Sequence, residues 1–423
     1  MPLTKVPAIS ATMYSDFYRN LVKRYMSLYI GTLRGMDPRR NPYSPGAGLR
    51  PSALTGRDAE IEAFAVLLFR ARDGRSAPGM ILHGLRGVGK TVLLNELANT
   101  ARKDGWVVAS VEADHSGTRT PFRQQVATAL EEGLRKEAGR SNFADKMRKA
   151  RATLKSFSVT VLGQGVSLEL QDRGSSGSLN ADFTDLVLDL AEAARDLDTG
   201  VAVFIDEMQH LAEPELAAIC QACHAANQQN LPFVVVGAGL SNLPRVLADA
   251  VSYAERLFDY RSIGRLDEAD AAEALVAPAQ KGSVEWEPDA VDVVLAASGG
   301  YPYFIQQFGQ TAWDAAATSP ISTADANVGV QLGRAKLDNG FFRARWDRAT
   351  RTEREFMAAM SVDGDAPSET GIVAKRLRKA INSLGPARAN LIAKGLVWAP
   401  EHGQIAFTVP GMSAFIERES ART

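Results

Sequence analysis

Gly79-Met80-Ile81-Leu82-His83 running into Gly84-Leu85-Arg86-Gly87-Val88-Gly89-Lys90-Thr91 is the stretch on which the fold turns. The first five residues read as a short buried strand, the glycines as a tight loop, and Lys90 to Lys103 as a helix. The loop matches G-x-x-x-x-G-K-[ST] at every defined position. Glycines let successive backbone N–H groups close around phosphate oxygens, and the helix that follows points its positive end at them. Lys90 is placed to reach the β- and γ-phosphates, and Thr91 offers a hydroxyl to magnesium. Gly84 through Val92 is therefore the candidate phosphate-binding segment: Gly84, Leu85, Arg86, Gly87, Val88, Gly89, Lys90, Thr91 and Val92.

Trp106 to Val111 reads as a second strand, which completes a strand–helix–strand unit and implies a parallel sheet. Val201-Ala202-Val203-Phe204-Ile205 is a third strand, ending in Asp206-Glu207. A buried strand hides charge at high cost, so carboxylates at its C-terminal tip belong where a cation or ligand waits. Asp206 is assigned to magnesium and Glu207 to polarising an attacking water, the alternative being an acidic cap on the next helix. Phe233 to Val236 is a fourth strand, followed by Gly237-Ala238-Gly239-Leu240-Ser241-Asn242. Ser241 and Asn242 are candidates for sensing the γ-phosphate or for capping a helix. Arg256 is a candidate finger reaching a neighbour's nucleotide, or an ordinary surface arginine.

Around this core, residues 37–55 hold four prolines and two glycines and read as an irregular strap. Residues 1–36 form an N-terminal extension. The α/β core is expected over 37–265, with an inserted β-hairpin at 157–170, where Phe157, Val159 and Val161 alternate with Ser158 and Thr160. A helical lid is expected over 266–340. Over 341–423, three short helical patterns and a two-stranded wing spell a winged helix. Arg388, Asn390 and Lys394 lie on the polar side of its third helix, where Arg and Asn can read guanine and adenine in a major groove. Lys375, Arg376, Arg378 and Lys379 on the preceding helix are candidates for DNA phosphates. The alternative is a protein-binding or structural module with a solvated basic face.

Composition narrows the function. The 423 residues carry 48 Lys and Arg against 49 Asp and Glu, so the molecule is no polycation and any nucleic-acid contact must be local. Basic residues gather near the ends: residues 370–400 hold six and no acid. No apolar run spans a bilayer and no leader is legible, so a cytoplasmic chain without a membrane partner is the expectation. The two cysteines, Cys220 and Cys223, precede His224 and spell a haem-attachment string. They lie in an Ala-rich helical stretch and are read as small helix residues with an incidental redox option.

With these residues in hand, the chain resembles the AAA+ ATPases, in the clade of the origin-recognition initiators and many prokaryotic ATP-binding proteins. The resemblance spans residues 41–418. It rests on Asn41-Pro42-Tyr43-Ser44-Pro45-Gly46, on Leu54-Thr55-Gly56-Arg57-Asp58-Ala59-Glu60, on the two phosphate-site motifs, on Gly237-Ala238-Gly239-Leu240 and on Gly299-Gly300-Tyr301-Pro302-Tyr303-Phe304. It implies a P-loop parallel-sheet domain with a helical lid and a C-terminal winged helix. It also implies that Asn41, Pro42, Tyr43, Gly56 and Arg57 lie near the adenine. The lid departs from the family pattern in lacking an arginine over Gly299 to Gln310, and Glu255 stands where a small residue often precedes the finger. The expected function is an ATP- and magnesium-dependent switch that hydrolyses ATP to ADP, slowly as isolated protomers. Its winged helix would bind double-stranded DNA, with self-assembly or a regulatory protein partner as further expectations. The rival reading is a signalling NTPase whose output is a protein partner.

Overall fold

The structure is a computed structural model describing residues 36–46, 48–113, 121–137, 139, 143–159 and 178–421. It divides into two units. One comprises Gly46–Arg50 and Leu54–Asp267; the other takes the strap up to Pro45, Pro51–Ala53 and everything from Glu268 onward. The strap's first half thus packs with the helices that follow residue 268, a division that differs from the expected core of 37–265.

The first unit is built on five strands, β1 (Gly79–His83), β2 (Val107–Glu112), β3 (Val201–Asp206), β4 (Phe233–Gly239) and β5 (Phe258–Ser262). All pair in parallel, in the order β2-β3-β4-β1-β5. The central strands β1, β3 and β4 are near-continuous apolar runs, as a sheet covered on both faces requires. Its helices are α1 (Asp58–Arg72), α2 (Lys90–Lys103), α3 (Phe122–Lys136), α4 (Phe143–Lys146), α5 (Arg148–Val159), α6 (Leu179–Arg195), α7 (Glu213–Gln228), α8 (Leu243–Ala250) and α9 (Ala254–Leu257). Because β4 lies between β1 and β3, the ends of three strands converge where the loop after β1 begins α2.

The second unit opens with α10 (Glu268–Lys281), α11 (Pro288–Ser298), α12 (Pro302–Ala315) and α13 (Thr323–Leu337). A π-helical turn, Asp338–Phe342, joins α13 to α14 (Arg343–Asp347). Next come α15 (Arg351–Ser361), β6 (Ser368–Glu369), α16 (Thr370–Leu377), α17 (Gly385–Ala393), β7 (Val397–Trp398), β8 (Gln404–Phe407) and α18 (Met412–Ser420). The three strands form an antiparallel sheet in the order β6-β8-β7. The π turn sets consecutive phenylalanines to different tasks. Phe341 stacks on Tyr303 of α12 at 4.9 Å, while Phe342 stacks on Phe415 of α18 at 5.5 Å. Beside them the buried Asp338 carboxylate accepts two hydrogen bonds from Arg418, at 2.9 and 2.7 Å.

Two features differ from the sequence reading. The hairpin expected at 157–170 does not begin at Phe157, because 157–159 form the last turn of α5. The Phe157 ring is buried 5.9 Å from Phe183, with the Arg123 guanidinium 4.4 Å from its centre, so burial against α6 rather than strand alternation fixes it. Residues 160–170, the rest of that expectation, lie outside the described residues, as do 1–35 of the extension. Strand β5 was not anticipated. Its sequence, Phe258-Asp259-Tyr260-Arg261-Ser262, is half polar because it is an edge strand paired only with β1. Among the described residues no helix is long and apolar enough to cross a membrane.

Candidate nucleotide-binding site

The loop between β1 and α2 needs its glycines. Gly87 and Gly89 have φ of 86° and 92°, a left-handed conformation that side chains disfavour. At Gly84 a Cβ would stand 2.1 Å from the Ile263 carbonyl oxygen, so the backbones pass too closely for any other residue. Gly84 N–H donates to Gly239 O at 3.2 Å, tying the loop to the end of β4. Arg57, buried just before α1, donates to Val88 O at 3.1 Å and to Gly264 O at 2.7 Å, and pins the loop from beneath. Gly48 of the strap lies against the Thr91 methyl, where a Cβ would be 3.0 Å away.

Lys90 and Thr91, at the first turn of α2, face the end of β3. The Lys90 ammonium donates to Gly84 O at 3.0 Å and Leu85 O at 2.8 Å. Burial pushes it down to about 8; the Glu207 and Asp206 carboxylates pull upward and the Arg86 guanidinium pushes down. The Thr91 hydroxyl donates to Asp206 Oδ2 at 2.7 Å. Burial raises the Asp206 carboxyl, opposed by the Thr91 hydroxyl and the Glu207 N–H. A part-buried carboxylate beside a hydroxyl is a pair of hard oxygen donors, which suits a magnesium ion that keeps several waters. Among the described residues no group of three or more His, Cys, Asp or Glu side chains is placed to hold a metal.

Glu207 sits at φ 49°, ψ 35°, a left-handed conformation that costs a non-glycine residue about 1–2 kcal/mol and turns the chain sharply off β3. Three side chains surround its Oε2: Gln209 Nε2 at 2.5 Å, His210 Nε2 at 3.6 Å and Arg86 at 3.7 Å. Gln209 was not picked out from sequence. Its Oε1 accepts the Leu240 N–H at 3.0 Å, so the amide bridges Glu207 to the end of β4. Gly239 makes room for this bridge, since a Cβ there would lie 2.3 Å from Gln209 Oε1, while Gly237 makes room for Met208, whose Sδ would lie 2.4 Å from a Cβ.

The remaining sequence candidates distribute as follows. Asn242 is the N-cap residue of α8 but makes no side-chain cap bond, and its Oδ1 is buried without a partner. Arg256, on α9, is exposed and has no side-chain partner among the described residues. Asn41, Pro42 and Tyr43 belong to the second unit. There Asn41 donates to Gln310 O and Asp314, and the buried Tyr43 hydroxyl bonds Leu275 O and accepts from Trp286 Nε1 at 3.0 Å. Gly56 and Arg57 belong to the first unit. Cys220 and Cys223 are buried in α7, where burial pushes the Cys220 thiol up to about 12 and the Cys223 thiol well above its ordinary value, which keeps both as unreactive thiols.

The basic candidates of the C-terminal region are largely paired within the unit. Arg376 is bridged to Asp363, Lys379 to Glu355 at 3.2 Å and Lys394 to Glu353 at 2.6 Å, while Arg388 donates to Gln404 O at 3.2 Å. Lys375, Arg378 and Asn390 are exposed and carry no side-chain partner among the described residues.

Comparison with known proteins agrees with this geometry. Residues 53–236 match the family model described as the AAA ATPase domain. Apart from Ala53, the matched stretch falls within the first unit, which is thus similar to AAA ATPase domains. Residues 339–416 match a second model, a domain of unknown function (DUF8462). No curated protein matches the chain. Among solved structures, the Walker-type ATPase of Pyrococcus abyssi is 13% identical with a TM-score of 0.56, over 87% of this chain and 97% of that one. At that identity the likeness is one of fold. The Orc1 protein of Aeropyrum pernix, solved in complex with DNA, is 16% identical with a TM-score of 0.44 over 88% and 93%. The Thermotoga maritima RuvB Holliday junction branch migration motor is 15% identical with a TM-score of 0.44 over 85% and 96%. Within the stretch that matches the AAA ATPase model, the glycine loop, Lys90, Thr91, Asp206 and Glu207 all lie at the C-terminal ends of the central strands.

Proposed function

We propose that the chain is an ATP-binding and ATP-hydrolysing switch whose nucleotide state controls its C-terminal module. The observation that carries this reading is the 2.7 Å approach of the Thr91 hydroxyl to Asp206, with Lys90 and Glu207 flanking the pair. Backbone N–H groups from Gly84 to Val92 and the Lys90 ammonium would hold the phosphates. Thr91 and Asp206 would hold magnesium, which neutralises phosphate charge when bound. Glu207, fixed by Gln209, takes a proton from the attacking water. The water oxygen bonds to the γ-phosphorus as the bond to the β–γ bridging oxygen breaks, and that bond's electron pair leaves on ADP.

The C-terminal module is proposed to be a winged helix, on the strength of three helices, α15 to α17, and the small sheet β6-β8-β7. The Phe341 and Phe342 stacks and the Asp338–Arg418 pair supply a packed route from α12 to α18 along which a lid movement can travel. Double-stranded DNA is the first proposed output, through Lys375, Arg378 and Asn390 with Arg388 beside them. A second reading, a protein partner, is favoured by Ile372 and Ile381, which are 40% and 57% exposed on and beside α16.

Phosphate release with and without duplex DNA, for wild type and Glu207→Gln, tests the function. Turnover that Glu207→Gln abolishes supports the ATPase reading; equal turnover in both proteins refutes it. Binding to DNA that weakens steeply between 50 and 200 mM salt, by about 10³-fold or more for six to ten phosphate contacts, supports the DNA output. No binding at the lower salt favours the protein partner.

A further inference from the structure

We infer that Arg86 is the site's own arginine for the transferring phosphoryl group, so that hydrolysis needs no arginine from a second chain. The inference rests on the ATPase reading above and adds a residue to it. Arg86 is the third residue of the phosphate loop, and its part-buried guanidinium reaches toward the Glu207 carboxylate. It stands 3.7 Å from Glu207 Oε2, and its charge is felt at Lys90. Within the loop, the Arg86 Nε–H is a buried side-chain donor with no acceptor. A guanidinium beside the proposed base, on the loop proposed to hold the phosphates and with a donor unused, is within reach of the transferring phosphoryl group.

The charges favour an exchange of partners. Lys90 and Arg86 balance Asp206 and Glu207, so the four side chains sum to zero. ATP with one magnesium ion adds a net two negative charges. The Arg86–Glu207 pair is a long contact, with both side chains more than a quarter exposed, and such pairs contribute about 0–1 kcal/mol. A guanidinium on phosphate oxygens forms shorter, charge-assisted and often bidentate hydrogen bonds. Arg86 therefore has a weak partner in Glu207 and a stronger one in the phosphate. Its transfer leaves Glu207 held by Gln209 and relieved of a competing cation as the water proton arrives. That proton goes to the carboxylate, then to the released phosphate. As the water–phosphorus bond forms and the bond to ADP breaks, charge gathers on the equatorial oxygens, where an arginine such as Arg86 would be worth about 10³–10⁵ in kcat.

The test uses the full chain as wild type, Arg86→Ala and Arg86→Lys. Calorimetry would give the affinities for ADP and for ADP with aluminium fluoride and magnesium, and phosphate release would be followed over a hundredfold range of protein concentration. The inference predicts that both variants bind ADP within about threefold of wild type and lose the aluminium fluoride complex. It predicts a kcat about 10³-fold lower in Arg86→Ala. It also predicts wild-type turnover per chain that does not change with concentration. Arg86→Lys keeps the charge without the planar fork, so it separates phosphate recognition from loop folding if the alanine variant loses ADP as well. Retention of the aluminium fluoride complex by the variants would show that Arg86 only positions Glu207, and would overturn the inference. Wild-type turnover per chain that rises with concentration would overturn it too, by placing the arginine on a neighbour. Absence of nucleotide binding by wild type would overturn the ATPase reading along with it.

Discussion

Replacing Gln209 by alanine separates the aim of Glu207 from its chemistry. The Leu240 N–H can only donate, so the Gln209 amide must present its oxygen there, at 3.0 Å, and its NH2 to Glu207 Oε2, at 2.5 Å. Neither bond goes to the phosphate loop or to Lys90. A hydrogen bond to a charged group contributes about 1.5–3 kcal/mol. Tenfold in rate corresponds to about 1.4 kcal/mol. If the bond's whole worth lies in holding the carboxylate in its reacting direction, Gln209→Ala lowers kcat by roughly 10- to 150-fold. KM and ATP affinity stay within about twofold, because interactions specific to the transition state leave binding unchanged. Steady-state phosphate release paired with calorimetry on the same preparations measures both quantities. A kcat within twofold of wild type would refute the positioning argument. So would a KM that rises in step with the loss of kcat, since that pattern belongs to a disturbed loop.

Three further outcomes follow from named contacts. Gly84→Ala puts a Cβ 2.1 Å from a backbone oxygen, which no rotamer relieves, so the loop must shift; with displacements near 1 Å costing about 10²-fold, ATP affinity or turnover should fall by that order while circular dichroism is unchanged, and an unaltered affinity would refute it. Phe342→Ala removes a 3%-exposed ring stacked on Phe415 and should lower the stability of the second unit by about 3–5 kcal/mol, read as a fall in its melting temperature; a loss under about 1 kcal/mol would contradict the junction described here. Acid should loosen the same unit. Burial raises the Glu353 carboxyl, but the Lys394 ammonium and the Thr350 N–H outweigh it, and Arg376 holds Asp363 low, so both sit below the ordinary carboxylate range. Depressed carboxylates stabilise the fold fully above their unfolded values, near pH 4, and lose that contribution as pH falls through the folded ones. Acid unfolding of wild type should therefore be steeper below about pH 4 than that of Glu353→Gln; superimposable profiles would refute the assignment.

The side chains gathered at the candidate nucleotide site were legible as neighbours because each motif is local. Gly84 to Thr91 and Ile205-Asp206-Glu207 each place their groups within one strand end and the turn after it, so spacing alone carries the meaning. The contacts that orient these groups were not legible. Gln209 belongs to no motif, and its two bonds depend on β4 lying between β1 and β3, a neighbour relation that only the folded sheet creates. Arg86 occupied an unconstrained position of the loop motif, and only the turn at Glu207 brings it beside a carboxylate. The ion pairs of the basic stretch at 370–400 were not legible for the converse reason. A window along the chain sees Arg376, Lys379 and Lys394 without acids, whereas Asp363, Glu355 and Glu353 pair with them from 13, 24 and 41 residues upstream. Strand β5 escaped because Asp259 and Arg261, two apart and so on one face, stay part-exposed and pair with each other at 2.7 Å, which interrupts the apolar run. At Phe157, period-2 alternation over a few residues was also compatible with a helix end, and packing on Phe183 decided it.

The most direct test of the central claim is calorimetric titration of ATP with magnesium into wild type and Lys90→Ala. Lys90 supplies the ammonium that the loop, Asp206 and Glu207 are arranged around. The account predicts one ATP per chain for wild type and no measurable binding for Lys90→Ala. Affinity retained by Lys90→Ala within a few-fold of wild type would place the nucleotide elsewhere and contradict it.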